Sequence, residues 1–181
     1  MRKLTARIVA GLFGITALTT AAGAQMRPVT RADVIRAEDA RGKGDAGIQP
    51  IIDGLAVPSL RATSIRAIGR LEQADLVAHI TPFLSEPRLT ATTAHALAQS
   101  LQGLNAESMS KANRALVDSI FALLRDAGKA NTDGVTKGAI ARSIGRLPYD
   151  GKQAREADAV LATMAKASID DRAIYPAFAG I

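Results

Sequence analysis

Apolar residues recur along most of this chain at spacings of three and four, the period of a helix with one buried face. Ile48, Ile51, Ile52 and Leu55 share the face of a first such run, which Val57-Pro58-Ser59 breaks. Ala62, Ile65, Ile68, Gly69 and Leu71 make a second run, and the plan then repeats. Leu76, Ile80, Phe83 and Leu84 precede a break at Glu86-Pro87, and Leu89, Ala94, Leu97 and Leu101 follow it. A third pair places Leu116, Ile120, Leu123 and Leu124 on its first helix and Val135, Ile140, Ile144 and Leu147 on its second, with a turn across 128–134. Val160, Leu161 and Met164 mark the first helix of a fourth pair, whose second begins near Ile169. Ahead of the pairs, Thr30 with Asp33 three residues on predicts the N-terminus of a helix running to Arg41. Gly42, Gly44 and Gly47 then end it, since glycine is costly inside a helix.

The pairs keep register. Pro58 and Pro87, Leu60 and Leu89, Ala67 and Ala96, and Leu55 and Leu84 are each 29 positions apart. The run IRAIGRL at 65–71 returns at 141–147 as ARSIGRL. A single helix pair cannot bury both its apolar faces, so neighbouring pairs stack to complete the core. The pattern therefore predicts an all-α chain built as an α-solenoid of antiparallel helix pairs. Gly69, Ala98 and Gly145 fall at matching places on the second helices, where small residues let adjacent helices approach. A bulky residue at Gly69 or Gly145 is expected to overpack that contact by about 1–3 kcal/mol.

Composition agrees with closely spaced helices. The 181 residues include 36 alanines, yet only 3% are aromatic and there is no Trp. Sheets favour β-branched and aromatic side chains, so a β-sandwich fits badly. Without cysteine there is no disulfide framework, no thiolate nucleophile and no Cys-ligated zinc.

The net charge of +6 has an uneven source. Arg2, Lys3 and Arg7 precede the uncharged stretch Ile8–Leu18, and Ala22-Gly23-Ala24 supplies small residues before Gln25. These are the three parts of a secretory signal peptide over residues 1–24, with cleavage expected after Ala24. The apolar stretch falls short of the ~20 residues that span a bilayer, so no stable membrane anchor is expected after cleavage. The remaining chain, with 20 basic and 17 acidic groups, carries a net +3. That balance argues against a nucleic-acid partner. Residues 25–47 read as a linker and N-terminal capping helix, and 48–181 as about four helix pairs. The location expected is exported, periplasmic or secreted.

The repeating unit resembles a HEAT-type repeat, in particular its short bacterial form. The matching stretches are Pro58-Ser59-Leu60-Arg61 with Ala67-Ile68-Gly69-Arg70-Leu71, Pro87-Arg88-Leu89 with Ala96-Leu97-Ala98, and Ser143-Ile144-Gly145-Arg146-Leu147. The third unit departs from it, with a longer first helix and a polar loop over 129–133. A signal peptide, a short helix and HEAT-like units together also resemble the N-terminal part of exported cyclophilin-type peptidyl-prolyl isomerases. That resemblance implies a catalytic domain that nothing in these residues matches. The apolar ending, 177–181, has no polar capping helix, which leads to the expectation that the sequence is a fragment.

No catalytic constellation emerges. His79 and His95 lie on different helices without a second histidine at helical spacing, and a metal site needs three or four ligands. Asp75 with His79 reads as a surface pair, and Glu38-Asp39 as charge pairing with Arg36 and Arg41. Gly42-Lys43 and Gly128-Lys129 lack the order of a phosphate-binding loop. No cofactor is expected. One set of residues has a binding role in view. Arg66 and Arg70 correspond in register to His95 and Gln99 and to Arg142 and Arg146, each pair spaced i,i+4 on a second helix. Second helices of HEAT-like units line a concave face, so the three pairs would lie side by side there. The alternative is that they are only the solvated faces of amphipathic helices. The expectation is a scaffold that takes a protein or peptide partner bearing carboxylates, or else the client-presenting part of an isomerase.

Overall fold

The computed structural model describes residues 27–40 and 45–167. The expected signal peptide and the chain ending lie outside the described residues, as does the second helix of the fourth pair. The described chain is all-helical: α1 (Arg31–Asp39), α2 (Asp45–Ala56), α3 (Arg61–Leu71), α4 (Val77–Ile80), α5 (Thr90–Ser100), α6 (Lys111–Ala130), α7 (Gly134–Ile144) and α8 (Gly151–Ala167). Two 3₁₀ segments, Ala74–Leu76 and Thr81–Ser85, flank α4. No strand occurs among the described residues. Nor is any described helix long and apolar enough to cross a membrane.

Local chemistry sets the helix starts. Thr30 and Asp33 form a reciprocal capping box, with the Thr30 hydroxyl accepting from the Asp33 N–H and the Asp33 carboxylate accepting from the Thr30 N–H at 2.9 Å. Ser110 caps α6 and Asp133 caps α7 through the N–H groups of Asn113 and Thr136. Asp150 accepts from the N–H groups of Lys152 and Gln153 at the start of α8. α3 and α5 start differently, from turns that carry proline. The N–H groups of Leu60 and Arg61 both bond the Val57 carbonyl, and those of Leu89 and Thr90 both bond the Glu86 carbonyl. The same turn thus recurs 29 residues on, with Pro58 and Pro87 presetting its backbone.

Several boundaries differ from the sequence expectation. α1 ends at Asp39 rather than Arg41, and α2 begins at Asp45, taking in Gly47 and Pro50. The run around Leu76–Leu84 is one short α-helix between 3₁₀ turns. Pro82 lacks the N–H that would continue an α-helix through Ala78. Gly128 does not end α6. A Cβ there would meet the Met164 methyl at 3.1 Å and Ile140 at 3.4 Å, so the glycine admits α7 and α8 against the helix. The turn shortens to Asn131–Asp133. Leu123 and Val135, both assigned to apolar faces, are exposed, while Val117 and Phe121 are buried in α6.

One continuous core runs from Val34 to Ala165. α1 packs on α2 and α3, α3 on α5, α5 on α7, and α7 on α8. α2 lies against α3, and α6 against α7 and α8. The all-α expectation holds.

Candidate functional site

Helices α3, α5 and α7 bury the same positions in register. Residues 64, 65, 67, 68 and 71 are buried, as are 93, 94, 96, 97 and 100, and 140, 141, 143, 144 and 147. Each helix is wedged between neighbours on both sides, and one narrow line faces outward. Along it stand Arg66 and Arg70 of α3, His95 and Gln99 of α5, and Arg142 of α7. Arg146, expected on the same helix as Arg142, lies instead in the turn past the Gly145 C-cap, where its N–H bonds the Ser143 carbonyl. Of these six, the two on α5 are half-buried and the four arginines exposed.

Close helix approach brings the first two pairs together. A Cβ on Gly69 would fall 2.9 Å from the Ala96 Cα and 3.3 Å from the Gln99 Oε1. Beside this contact lies a groove of about 440 Å³, lined by Arg66, Arg70, His95 and Gln99 with Ala91, Thr92 and Ala96. Arg142 and Arg146 do not line it; Arg142 stands on α7 and Arg146 in the turn that follows, with the Arg146 Nη1 at 3.4 Å from the His95 Nε2.

The charges of the row are unequal in their surroundings. Arg70 binds Glu38 of α1 in a two-pronged pair, its Nε donating to Oε1 and its Nη2 to Oε2, the latter at 2.6 Å. The Glu38 hydrogen bonds push the Arg70 guanidinium above its ordinary pKa. Burial pushes the His95 imidazole below its usual range, and Arg146 and Arg142 push it further the same way. A neutral His95 ring can accept from Arg146 through Nε2. Arg66 and Arg142 make no hydrogen bond or ion pair with the described residues.

Chemically, the arginines of this row are planar, multiply donating cations. Guanidinium forks match carboxylates, and the Glu38–Arg70 pair is such a match made within the chain. Among the described residues no group of three or more His, Asp or Glu side chains could hold a metal ion.

Sequence reasoning placed Arg66, Arg70, His95, Gln99 and Arg142 on these helices but put Arg146 on α7 too, and it missed the carboxylate that meets Arg70. Glu38 was assigned to local pairing with Arg36 and Arg41, whereas Arg36 pairs with Asp33 and Glu38 reaches α3. No spacing rule links residues 32 apart, so only the packing of α1 on α3 reveals it. His79 is exposed and forms no ion pair with Asp75. A second cleft, of about 490 Å³, also went unforeseen. It lies among α6, α7 and α8, with Gly128, Val160 and Met164 beside Arg125, Lys129 and Lys137. The expected turn at Gly128 hid it. No family model, curated protein or solved structure matches the chain.

Proposed function

We propose that this chain is an exported scaffold, a HEAT-like α-solenoid, that captures an acidic protein or peptide along the outward line of α3, α5 and α7. The observation that carries the reading is the row itself. Three helices with one burial pattern, and the turn after the last of them, present Arg66, Arg70, His95, Gln99, Arg142 and Arg146, and Glu38 is a carboxylate that pairs with one of these, Arg70. Stacking of α3 on α5 and of α5 on α7, with the same proline turn 29 residues apart, supports reading these as the second helices of successive repeats. On that reading they form the concave row, and a partner lies across it. The charged leader Arg2-Lys3 with the apolar stretch 8–18 supports export.

Fluorescence anisotropy with a labelled hexaglutamate peptide tests the binding. The chain from Gln25 onward is expected to bind it and to ignore hexaglutamine. Replacing Arg66, Arg142 and Arg146 together by Ala should abolish binding and leave the helical circular dichroism unchanged. A wild type that does not discriminate the two peptides, or a triple variant that binds as well as wild type, overturns the proposal.

A further inference from the structure

The six residues of the row are not equivalent, and their differences locate the docking point within it. Arg70 already holds Glu38 in a two-pronged pair, with α1 lying across α3. Arg146 stands 76 positions on, in the turn just past the Gly145 C-cap of α7, and no described residue brings a carboxylate to it. Arg142 stands on α7 itself, also without an acidic partner among the described residues. His95 lies alongside Arg146 at 3.4 Å. We infer that Arg142 and Arg146, with His95 beside them, receive a glutamate or aspartate side chain of an acidic peptide as Arg70 receives Glu38. This rests on the scaffold reading above and narrows it to one end of the row.

The groups facing His95 give the site a second property. From α7 and the turn after it come Arg142 and Arg146; on the α3 side of the groove stand Arg66 and Arg70, the latter paired with Glu38; on its own helix Gln99 carries no charge. The free protein therefore resists protonating the ring, through burial first and the Arg146 and Arg142 guanidiniums second. A carboxylate placed between Arg142 and Arg146 offsets that repulsion and supplies an acceptor for an imidazolium N–H. Binding takes up a proton at His95. Affinity is present at high pH through the arginines and rises as the pH falls between the bound and the free pKa of His95.

The test uses the chain from Gln25 onward with labelled hexaglutamate at near-physiological salt, from about pH 8 to about pH 5.5, where the ring titrates and the peptide carboxylates stay ionised. Wild type should bind more tightly as the pH falls, by at most about tenfold per pH unit for one proton. His95→Gln should remove the pH dependence and retain binding at pH 8. Arg142→Gln with Arg146→Gln should weaken binding about tenfold or more, and Arg146→Lys should fail to restore the lost fork. These side chains are exposed or at the surface edge, and thermal melts check that each variant folds. In NMR titrations the His95 pKa should rise when the peptide is added. If the Arg142/Arg146 variant binds like wild type while the triple variant does not, recognition lies at Arg66; the site assignment falls and the scaffold reading stands. An unchanged pH profile in His95→Gln overturns the proton uptake. If wild type binds no hexaglutamate at any pH, both readings fall together.

Discussion

At the scale of single residues, what a side chain is allowed to be follows from how near the next helix stands. Gly69 and Gly145 occupy the same place in the recurring heptapeptide, and sequence reasoning gave them the same role. They differ. Gly69 faces the Ala96 backbone at a distance no Cβ tolerates. Gly145 is the exposed C-cap of α7, with φ −66°, a conformation any residue adopts. Gly69→Ala should therefore destabilise by about 1–3 kcal/mol, because α3 or α5 has to shift. Gly145→Ala should change stability by less than about 1 kcal/mol. Urea denaturation of the two variants checks this, and equal costs would show that the α3–α5 approach is not the cause. Buried hydroxyls make a related point. Ser100 reaches the Ile68 carbonyl across the same helix contact, while the Ser64 and Thr93 hydroxyls find no partner among the described residues. At Ser64 space is short, since a Cβ on Gly54 would collide with its Oγ, and a buried hydroxyl without a partner costs stability instead of adding it.

At the scale of the element, helix ends and helix interiors obey different rules. The N-cap Thr30 reads directly from sequence, and Ser110 and Asp133 cap α6 and α7 by the same local rule, because a cap satisfies N–H groups only two or three residues away. C-terminal ends depend on partners further off. The last carbonyls of α7 illustrate it: the Tyr149 hydroxyl donates to the Ile144 carbonyl at 2.7 Å, and its ring stands edge-on to Phe121 at 5.8 Å. Burial, with Asp158 and Glu156 nearby, pushes the phenol above its ordinary value. Folding thus favours the neutral form. Stability from Tyr149 is fully present below the unfolded pKa of about 10 and is lost as the pH rises from there toward the folded value. Tyr149→Phe should cost about 1 kcal/mol at neutral pH through the lost hydrogen bond. That cost should shrink in chemical denaturation above about pH 10, where wild type weakens and the variant does not share the loss. A cost that stays constant across this range would assign the effect to packing alone.

At the scale of the whole molecule, contacts between elements far apart in sequence hold the stack in order. Arg61 is the clearest. Its Nε donates to the Leu55 carbonyl at the end of α2, its Nη1 pairs with Glu86 at 3.2 Å, and its guanidinium lies 5.1 Å over the Phe83 ring. One side chain just after a proline turn thus ties α2 and α3 to the segment that precedes α5. Arg61→Ala should destabilise by about 1–2 kcal/mol, mostly through the carbonyl and the ring, because the half-exposed ion pair is screened. Thermal unfolding in about 1 M salt separates the terms: the cost should persist there, and a cost that vanishes with salt would put the weight on Glu86. Glu38 and Arg70 do similar work for α1 on α3, and Tyr149 for the α7 end on α6. None of these links has a local signature.

Helical periodicity, the Thr30 cap and the 29-residue register determined by themselves that the described chain is all-helical, where most helices lie, and that residues 66, 70, 95, 99 and 142 fall outside the fully buried positions of their helices. Those properties depend on interactions within a turn or two of helix, and a linear sequence records them. Tertiary structure alone decided which glycine is crowded, why α6 runs through Gly128, and that Glu38 answers Arg70 while Arg142 and Arg146 have no such carboxylate among the described residues. Each of these is set by the distance between surfaces brought together from different parts of the chain. Spacing along a single helix carries no record of that distance.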